Sequence, residues 1–139
     1  MARSKQMTGN VGLYYVAYEL SKGEWNVLPT SRNTKGIDMV IFDQDGKHKH
    51  TIQIKTLTKR APIPLGSSLE DIVADFLIVC VLEPTPEAYI MTRTEVLERD
   101  DLNAQVRAGK KSIWAANMKD SWADLQKTSL SRWDKIRIQ

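Results

Sequence analysis

Four residues in the first half of the chain carry groups that could act together on a charged substrate: Glu19, Asp38, Gln53 and Lys55. Asp38 begins an apolar run typical of a strand. A carboxylate at such a position is either at a solvent-exposed sheet edge or has a functional role. Fourteen residues separate it from Gln53. Gln53 and Lys55 alternate with two isoleucines, so both should project from the same face of the next strand.

These groups suit metal-assisted hydrolysis of a phosphodiester bond. A hard divalent cation such as Mg²⁺ prefers oxygen ligands, which Asp38, Glu19 and the side-chain carbonyl of Gln53 would supply. Such a metal polarises a phosphoryl oxygen and acidifies a bound water, while Lys55 would stabilise negative charge or orient the nucleophile. The alternatives are an ordinary cross-strand ion pair between Asp38 and Lys55, and a solvated surface position for Glu19.

The apolar periodicity and the turn residues predict the elements that must position these groups. Thr8 is expected to cap a helix over residues 8–22 that ends at Gly23 and carries Glu19. Asp45-Gly46 predicts the tip of a hairpin between two β-rich runs. Strands are expected at 24–28, 37–42, 48–57, 76–82, 88–91 and 112–116, a loop at 59–68, and short helices at 69–74 and from Thr92 or Thr94 to Arg99.

This order of elements predicts an α/β domain with a central mixed sheet. The length of 139 residues, without repeat or linker, predicts a single domain over residues 1–139. No apolar run approaches the ~20 residues that span a bilayer, and the N-terminus lacks the apolar region of a secretory signal. With one cysteine, Cys80, in an apolar run, we expect an intracellular, cytoplasmic protein without a membrane partner.

The charge distribution permits a polyanionic partner. Residues 1–69 carry ten Lys and Arg against five acids and residues 70–139 carry ten against twelve, which gives +5 and −2 and sums to +3. An excess this small also occurs on proteins that bind no polyanion. Polar and cationic residues near the site are expected to contact nucleic-acid phosphates, or else to serve loop solubility: Arg32, Asn33, Lys35, Lys59 and Arg60.

Histidine and tryptophan residues offer further candidates for chemistry. His48 and His50 are spaced as a ligand pair but lack the additional ligands of a zinc site, so we expect them to face solvent near the hairpin tip. Three tryptophans are expected mainly in packing, with base stacking or a dimer interface as alternatives: Trp114, Trp122 and Trp133.

The strings Gly36-Ile37-Asp38 and Gln53-Ile54-Lys55, after a helix that carries Glu19, resemble the PD-(D/E)XK nuclease superfamily, whose fold is restriction-endonuclease-like. The similarity covers roughly residues 8–91 and is greatest to small single-domain members, such as Holliday-junction-resolvase-like and homing-type endonucleases. The resemblance implies a central mixed β-sheet flanked by helices, cleavage of DNA with Mg²⁺ or Mn²⁺, and a homodimer.

Residue by residue, the resemblance implies Asp38 as principal metal ligand, Gln53 as second ligand, Lys55 as catalytic lysine and Glu19 as supporting acid. Ile37 replaces the proline of the motif, and Gln53 replaces its second acid and removes one negative charge. We therefore expect a Mg²⁺- or Mn²⁺-dependent endodeoxyribonuclease without a small-molecule cofactor. The alternatives are an inactive nucleic-acid-binding or regulatory module that keeps the fold, and a protein-interaction domain that uses the acidic C-terminal half.

Overall fold

The computed structural model describes residues 4–31, 36–117 and 121–137. Its helices are α1 (Lys5–Lys22), α2 (Arg93–Leu97), α3 (Asp100–Arg107) and α4 (Ser121–Thr128). Its strands are β1 (Asn26–Pro29), β2 (Met39–Phe42), β3 (Lys49–Leu57), β4 (Ile63–Pro64), β5 (Phe76–Val81), β6 (Glu87–Thr92) and β7 (Trp114–Ala115). Short 3₁₀ turns occupy Leu69–Asp71 and Trp133–Lys135.

A five-stranded sheet in the order β1-β2-β3-β5-β6 forms the centre of the fold. The strands β1, β2 and β3 pair antiparallel, β3 pairs parallel with β5, and β5 pairs antiparallel with β6. The sheet is therefore mixed and flanked by helices, and the prediction of an α/β fold is confirmed. A second, two-stranded sheet of β4 and β7 lies partly in the segment predicted as a loop.

Each face of the central sheet carries its own apolar core. On one face, Val16 and Leu20 of α1 pack with residues of β2 and β3 such as Met39 and Ile52. On the other face, alternate residues of β5 join the small β4–β7 sheet and the C-terminal helices. Every residue of β5 is buried, as a continuous apolar run predicts for a strand covered on both sides.

Helix α1 starts one turn earlier than the sequence pattern predicts. Ser4, not Thr8, is its N-cap, and the Ser4 hydroxyl accepts a hydrogen bond from the Met7 N–H at 3.1 Å. The predicted end is confirmed, because the Gly23 N–H donates to the carbonyl of Glu19 at 3.2 Å. Of the described helices, none is both long and apolar enough to cross a membrane.

The C-terminal part contains helices that the sequence pattern does not predict. Thr92 caps α2 in a capping box with Glu95, which confirms one of the two predicted caps. The helix expected to reach Arg99 instead ends at Leu97, and α3 begins at Asp100. The sequence pattern predicts neither α3 nor α4, because each is only eight residues long and offers just two turns of periodicity.

Gly12 sets how closely α1 approaches the sheet. A Cβ atom built on Gly12 would lie 2.7 Å from Cγ2 and 2.8 Å from Cβ of Thr56, well inside van der Waals contact. A built Cβ on Gly9, one turn earlier, meets nothing within 4 Å. The helix therefore touches β3 at Gly12, and this contact fixes which residues of α1 lie near the start of β2.

Alanine substitutions at these two glycines should have opposite effects. We expect Gly12→Ala to lower the free energy of unfolding by about 1–3 kcal/mol, because Thr56 or the helix must move. Gly9→Ala should raise it by about 0.5–1 kcal/mol through helix propensity. Urea denaturation measures both, and equal effects of the two substitutions would contradict a close contact at Gly12.

Candidate functional site

The β2–β3 hairpin positions three of the four candidate residues. At its turn the Asp43 carboxylate accepts hydrogen bonds from the backbone N–H groups of Lys47 at 2.9 Å and His48 at 3.2 Å, and it contacts the His48 ring Nδ1 at 2.7 Å. Gly46 adopts a φ of 71°, which favours glycine at this turn position. The predicted hairpin is confirmed, and its turn fixes the register of the two strands.

That register brings Asp38 against β3. Met39 pairs with Ile52, so the preceding residue, Asp38, lies opposite Gln53. The Asp38 N–H donates to the Ile52 carbonyl at 2.8 Å, and the Asp38 carboxylate Oδ2 accepts from the Ile54 N–H at 2.6 Å. The carboxylate thus lies against the backbone of β3, between Gln53 and Lys55 along the strand.

Gln53 and Lys55 project from one face of the sheet, as the alternation predicts. They pair in register with Leu77 and Val79 of β5, and both of those side chains belong to the core on the face away from α1. The intervening residue, Ile54, packs against the core beneath α1.

Gln53 has a buried polar atom without a partner. Its side-chain carbonyl oxygen Oε1 is shielded from solvent and accepts no hydrogen bond within the described part of the chain. Such a group costs about 1–3 kcal/mol unless something satisfies it. A water, a metal ion or a ligand donor would satisfy this oxygen.

Lys55 is half-buried and forms no ion pair with any described residue. The alternative of a cross-strand ion pair between Asp38 and Lys55 therefore does not hold.

Glu19 is paired within its own helix, and its expected role as supporting acid stays a prediction. Its carboxylate forms an ion pair with Lys22 at 3.3 Å. Burial raises the pKa of Tyr15, and the charge of Glu19 raises it further. Helix α1 covers the sheet face opposite to that of Gln53 and Lys55. Glu19 is also seven residues beyond Gly12, about 10 Å along the helix from the contact with β3.

The first turns of α1, rather than its end, line a cavity beside Asp38. This cavity of about 290 Å³ is bounded by Lys5 and Asn10 of the helix and by Asp38, Ile54 and Thr56 of the hairpin, so it lies on the α1 face of the sheet, opposite to Gln53 and Lys55. Lys5 and Asn10 were missed because the sequence does not give the depth of a helix against a sheet. The small residue Gly12 on the buried stripe of the helix is the signal that could have located the contact.

The expected phosphate-contacting residues divide into two groups. Arg32, Asn33 and Lys35 lie outside the described residues. Arg60 is held by its own chain, because its guanidinium donates to the Tyr89 hydroxyl at 3.2 Å and to the Glu87 carboxylate at 3.5 Å. Lys59 is exposed and lines a surface pocket together with Arg60 and Glu87.

The remaining candidates serve packing. His50 is only partly exposed: it packs edge-on between Trp25 and Phe76, with ring centroids 5.5 and 5.3 Å away. Burial raises the pKa of the Cys80 thiol to about 12, which makes it a poor nucleophile. Trp122 packs against Tyr89 at 5.2 Å.

A metal ion here would depend on few protein ligands. Among the described residues there is no group of three or more His, Cys, Asp or Glu that could hold a metal ion. Asp38 and Gln53 nevertheless offer the oxygen donors that Mg²⁺ and Mn²⁺ accept, and such ions keep several waters in protein sites. The unsatisfied Gln53 oxygen fits this role.

No protein-family model and no curated protein matches the sequence. Among solved structures, the chain is similar to a bacterial homing endonuclease, I-Ssp6803I, with a TM-score of 0.56 and 16% sequence identity over 85% of this chain and 79% of that one. At this identity the similarity concerns the fold. The chain has a nuclease-like α/β fold, with a five-stranded mixed sheet flanked by helices.

The turn of the hairpin should make stability depend on acid. The hydrogen bond from His48 lowers the pKa of the Asp43 carboxyl below its ordinary value of 3.8. The carboxylate therefore adds stability above that value, and this contribution is lost as pH falls through the lower folded pKa. At pH 5 we expect wild type to unfold at a higher urea concentration than Asp43→Asn. The difference between the two unfolding midpoints should shrink by pH 3. Exposed Asp45, changed to Asn, is the control, and a constant gap would contradict the assignment.

The unsatisfied oxygen of Gln53 predicts an unusual stability effect. Without metal, Gln53→Met should leave the free energy of unfolding unchanged or raise it by up to about 1–3 kcal/mol, because it removes a buried unpaired carbonyl. The matched control is Gln105→Met, since Gln105 donates to the Trp114 carbonyl at 2.8 Å and accepts from its N–H at 2.9 Å. Gln105→Met should be destabilising. Chemical denaturation in EDTA separates the two, and a loss of stability for both would contradict this account of Gln53.

Proposed function

We propose that this chain is a DNA endonuclease of the PD-(D/E)XK type that uses Mg²⁺ or Mn²⁺. The observation that carries the proposal is the unsatisfied, buried oxygen of Gln53, which lies opposite Asp38 in the strand register, with the unpaired Lys55 two residues further along β3. The nuclease-like fold and the similarity to a homing endonuclease support it. The spacing of the motif residues, which suggested the resemblance, is independent of that comparison.

Asp38 and Gln53 would hold the metal. The hydrogen bond from the Ile54 N–H to Oδ2 of Asp38 fixes the carboxylate while leaving it further acceptor sites, because an ionised carboxylate has about four lone pairs. When bound, the ion would supply Lewis-acid polarisation of a phosphoryl oxygen and lower the pKa of a coordinated water. A neutral amide in place of the usual acid makes the site less negative, so we expect metal binding that is weak without DNA.

Lys55 would act on the substrate rather than on the metal. Its ammonium follows Gln53 by two residues on the same face of β3. It can donate hydrogen bonds to a non-bridging phosphate oxygen, whose charge grows in the transition state, or hold the attacking water. Because no described acid neutralises it, this charge remains available to the phosphate.

Cationic residues around the site would bind the flanking phosphates. Lys5 lines the cavity beside Asp38, and Lys59 is exposed beyond the end of β3. The expected contacts of Arg32, Asn33 and Lys35, in the segment just before Asp38, also remain part of this proposal. Arg60 would have to exchange its contacts with Tyr89 and Glu87 for a phosphate, so we rank it below Lys59.

A binding module without cleavage is the second candidate. Gln53 replaces an acid, and the described residues contain no cluster of three metal-binding side chains. Such a protein would bind DNA with an affinity that falls with salt, at a slope set by the number of phosphate contacts. It would not cut DNA with any divalent metal.

Cleavage assays on matched variants test the proposal. With Mg²⁺ or Mn²⁺ and a panel of plasmid, linear and branched DNA, we expect Asp38→Asn and Lys55→Met each to reduce the rate by at least about 10²-fold. Asp38→Asn keeps an oxygen for the Ile54 N–H, so the fold should persist. The controls are Asp45→Asn in the same hairpin and Lys49→Met at the exposed start of β3, and both should cut like wild type.

Two results would decide against this proposal. If cleavage persists in both Asp38→Asn and Lys55→Met, another site performs it. If wild type binds DNA in a salt-dependent way but cuts none of these substrates with either metal, the chain is the binding module.

A further inference from the structure

The outer face of α1 carries an exposed apolar stripe. Met7, Val11, Tyr14 and Tyr18 are 56, 38, 67 and 60% exposed, and they account for four of the eight large exposed hydrophobic residues of the described chain. Their spacing of four, three and four residues is the repeat with which one helix packs along another. The opposite side of α1 is already buried, through Gly12, Val16 and Leu20. The stripe is therefore a second apolar face that the fold leaves uncovered.

The charge around the stripe indicates what kind of molecule would cover it. Residues 6–18 contain no charged side chain, in a chain that is 27% charged. A nucleic-acid surface needs cations, and a helix lying on a membrane needs a cationic polar face, whereas the other side of α1 is packed against the sheet. A neutral, tyrosine-rich face is typical of the centre of a protein interface.

The stripe is complementary to itself. When two copies of α1 pair antiparallel about an axis between Val11 and Tyr14, each Met7 meets the partner's Tyr18 and each Val11 meets the partner's Tyr14. Each pair then joins an aromatic ring to a smaller aliphatic side chain. Between residues 6 and 18 no charges oppose one another, and at the end of the stripe the Lys22 ammonium lies 5.0 Å from the centroid of the Tyr18 ring. The two helix dipoles run in opposite directions.

The area is sufficient for a reversible dimer. Covering the four side chains removes roughly 450 Å² per copy, or on the order of 900 Å² in total before flanking residues are counted. Weak, transient interfaces bury less than about 1,200 Å² in total. A permanent dimer buries more, so this surface suits a dimer that forms and dissociates with concentration.

We propose that the outer face of α1 is a homodimer interface in which a second copy of this chain packs antiparallel through Met7, Val11, Tyr14 and Tyr18. The resemblance to nucleases already implies a homodimer, and this surface adds where the two copies meet, whether or not the chain cleaves DNA. The dimer places the two first turns of α1, with Lys5 and Asn10 beside each Asp38, at opposite ends of a shared helix pair.

Sedimentation equilibrium of the full chain tests the interface. Wild type should show a monomer–dimer equilibrium with a Kd on the order of 1–100 µM, and Tyr14→Ser combined with Tyr18→Ser should raise that Kd by about 30-fold or more. Leu28→Ser and Val106→Ser, at residues 55 and 49% exposed away from the stripe, should leave the Kd unchanged. Far-UV circular dichroism of each variant confirms that it is folded.

Cysteine cross-linking tests the antiparallel register on an otherwise intact surface. The variant with both Met7→Cys and Tyr18→Cys should form an intermolecular disulfide under mild oxidation. Each single variant should not, because identical positions lie about 16 Å apart along the pair. Cys80 is buried and should not compete.

Three results would overturn the proposal. Wild type that stays monomeric to several hundred micromolar excludes a self-interface. A dimer that persists in the double serine variant lies elsewhere on the chain. Monomeric wild type that binds anionic lipid vesicles, with binding lost in the double serine variant, assigns the stripe to a membrane instead.

Discussion

One hydrogen bond holds the candidate site together. Strand β2 begins at Met39, which pairs with Ile52, so Ile54 lies beyond the end of the β2–β3 pairing. The Asp38 carboxylate accepts a hydrogen bond from the Ile54 N–H at 2.6 Å. This bond fixes an acid against the backbone of β3, at the residue between Gln53 and Lys55.

The site is arranged at a cost to the folded chain. A buried carbonyl without a partner, on Gln53, and a half-buried lysine without a counter-ion both oppose folding in the absence of a ligand. Functional sites are where proteins tolerate such groups. Helix α1 meets two other demands at once, because Gly12 sets its depth on the sheet while its exposed stripe remains available to a second copy. A change in its depth would alter both the Asp38 cavity and the outer face.

The sequence predicted the parts of this structure that depend on local chemistry. The hairpin follows from Asp45-Gly46, the shared face of Gln53 and Lys55 from strand alternation, and the doubly covered strand β5 from its unbroken apolar run. The position of Glu19 could not be predicted, because it depends on which sheet face α1 covers and on its close contact at Gly12. The two-residue strands β4 and β7 and the eight-residue helices α3 and α4 are too short for periodicity to identify, and tertiary packing stabilises them.

The central claim is that Asp38 and Gln53 share one divalent cation, and a crystal structure with Mn²⁺ and a DNA duplex tests it most directly. The account predicts an anomalous-scattering peak within about 2.0–2.3 Å of an Asp38 carboxylate oxygen and of Oε1 of Gln53, with Lys55 directed at a phosphate. A peak at other residues, or an Oε1 bonded to a protein donor with no ion beside Asp38, would contradict it.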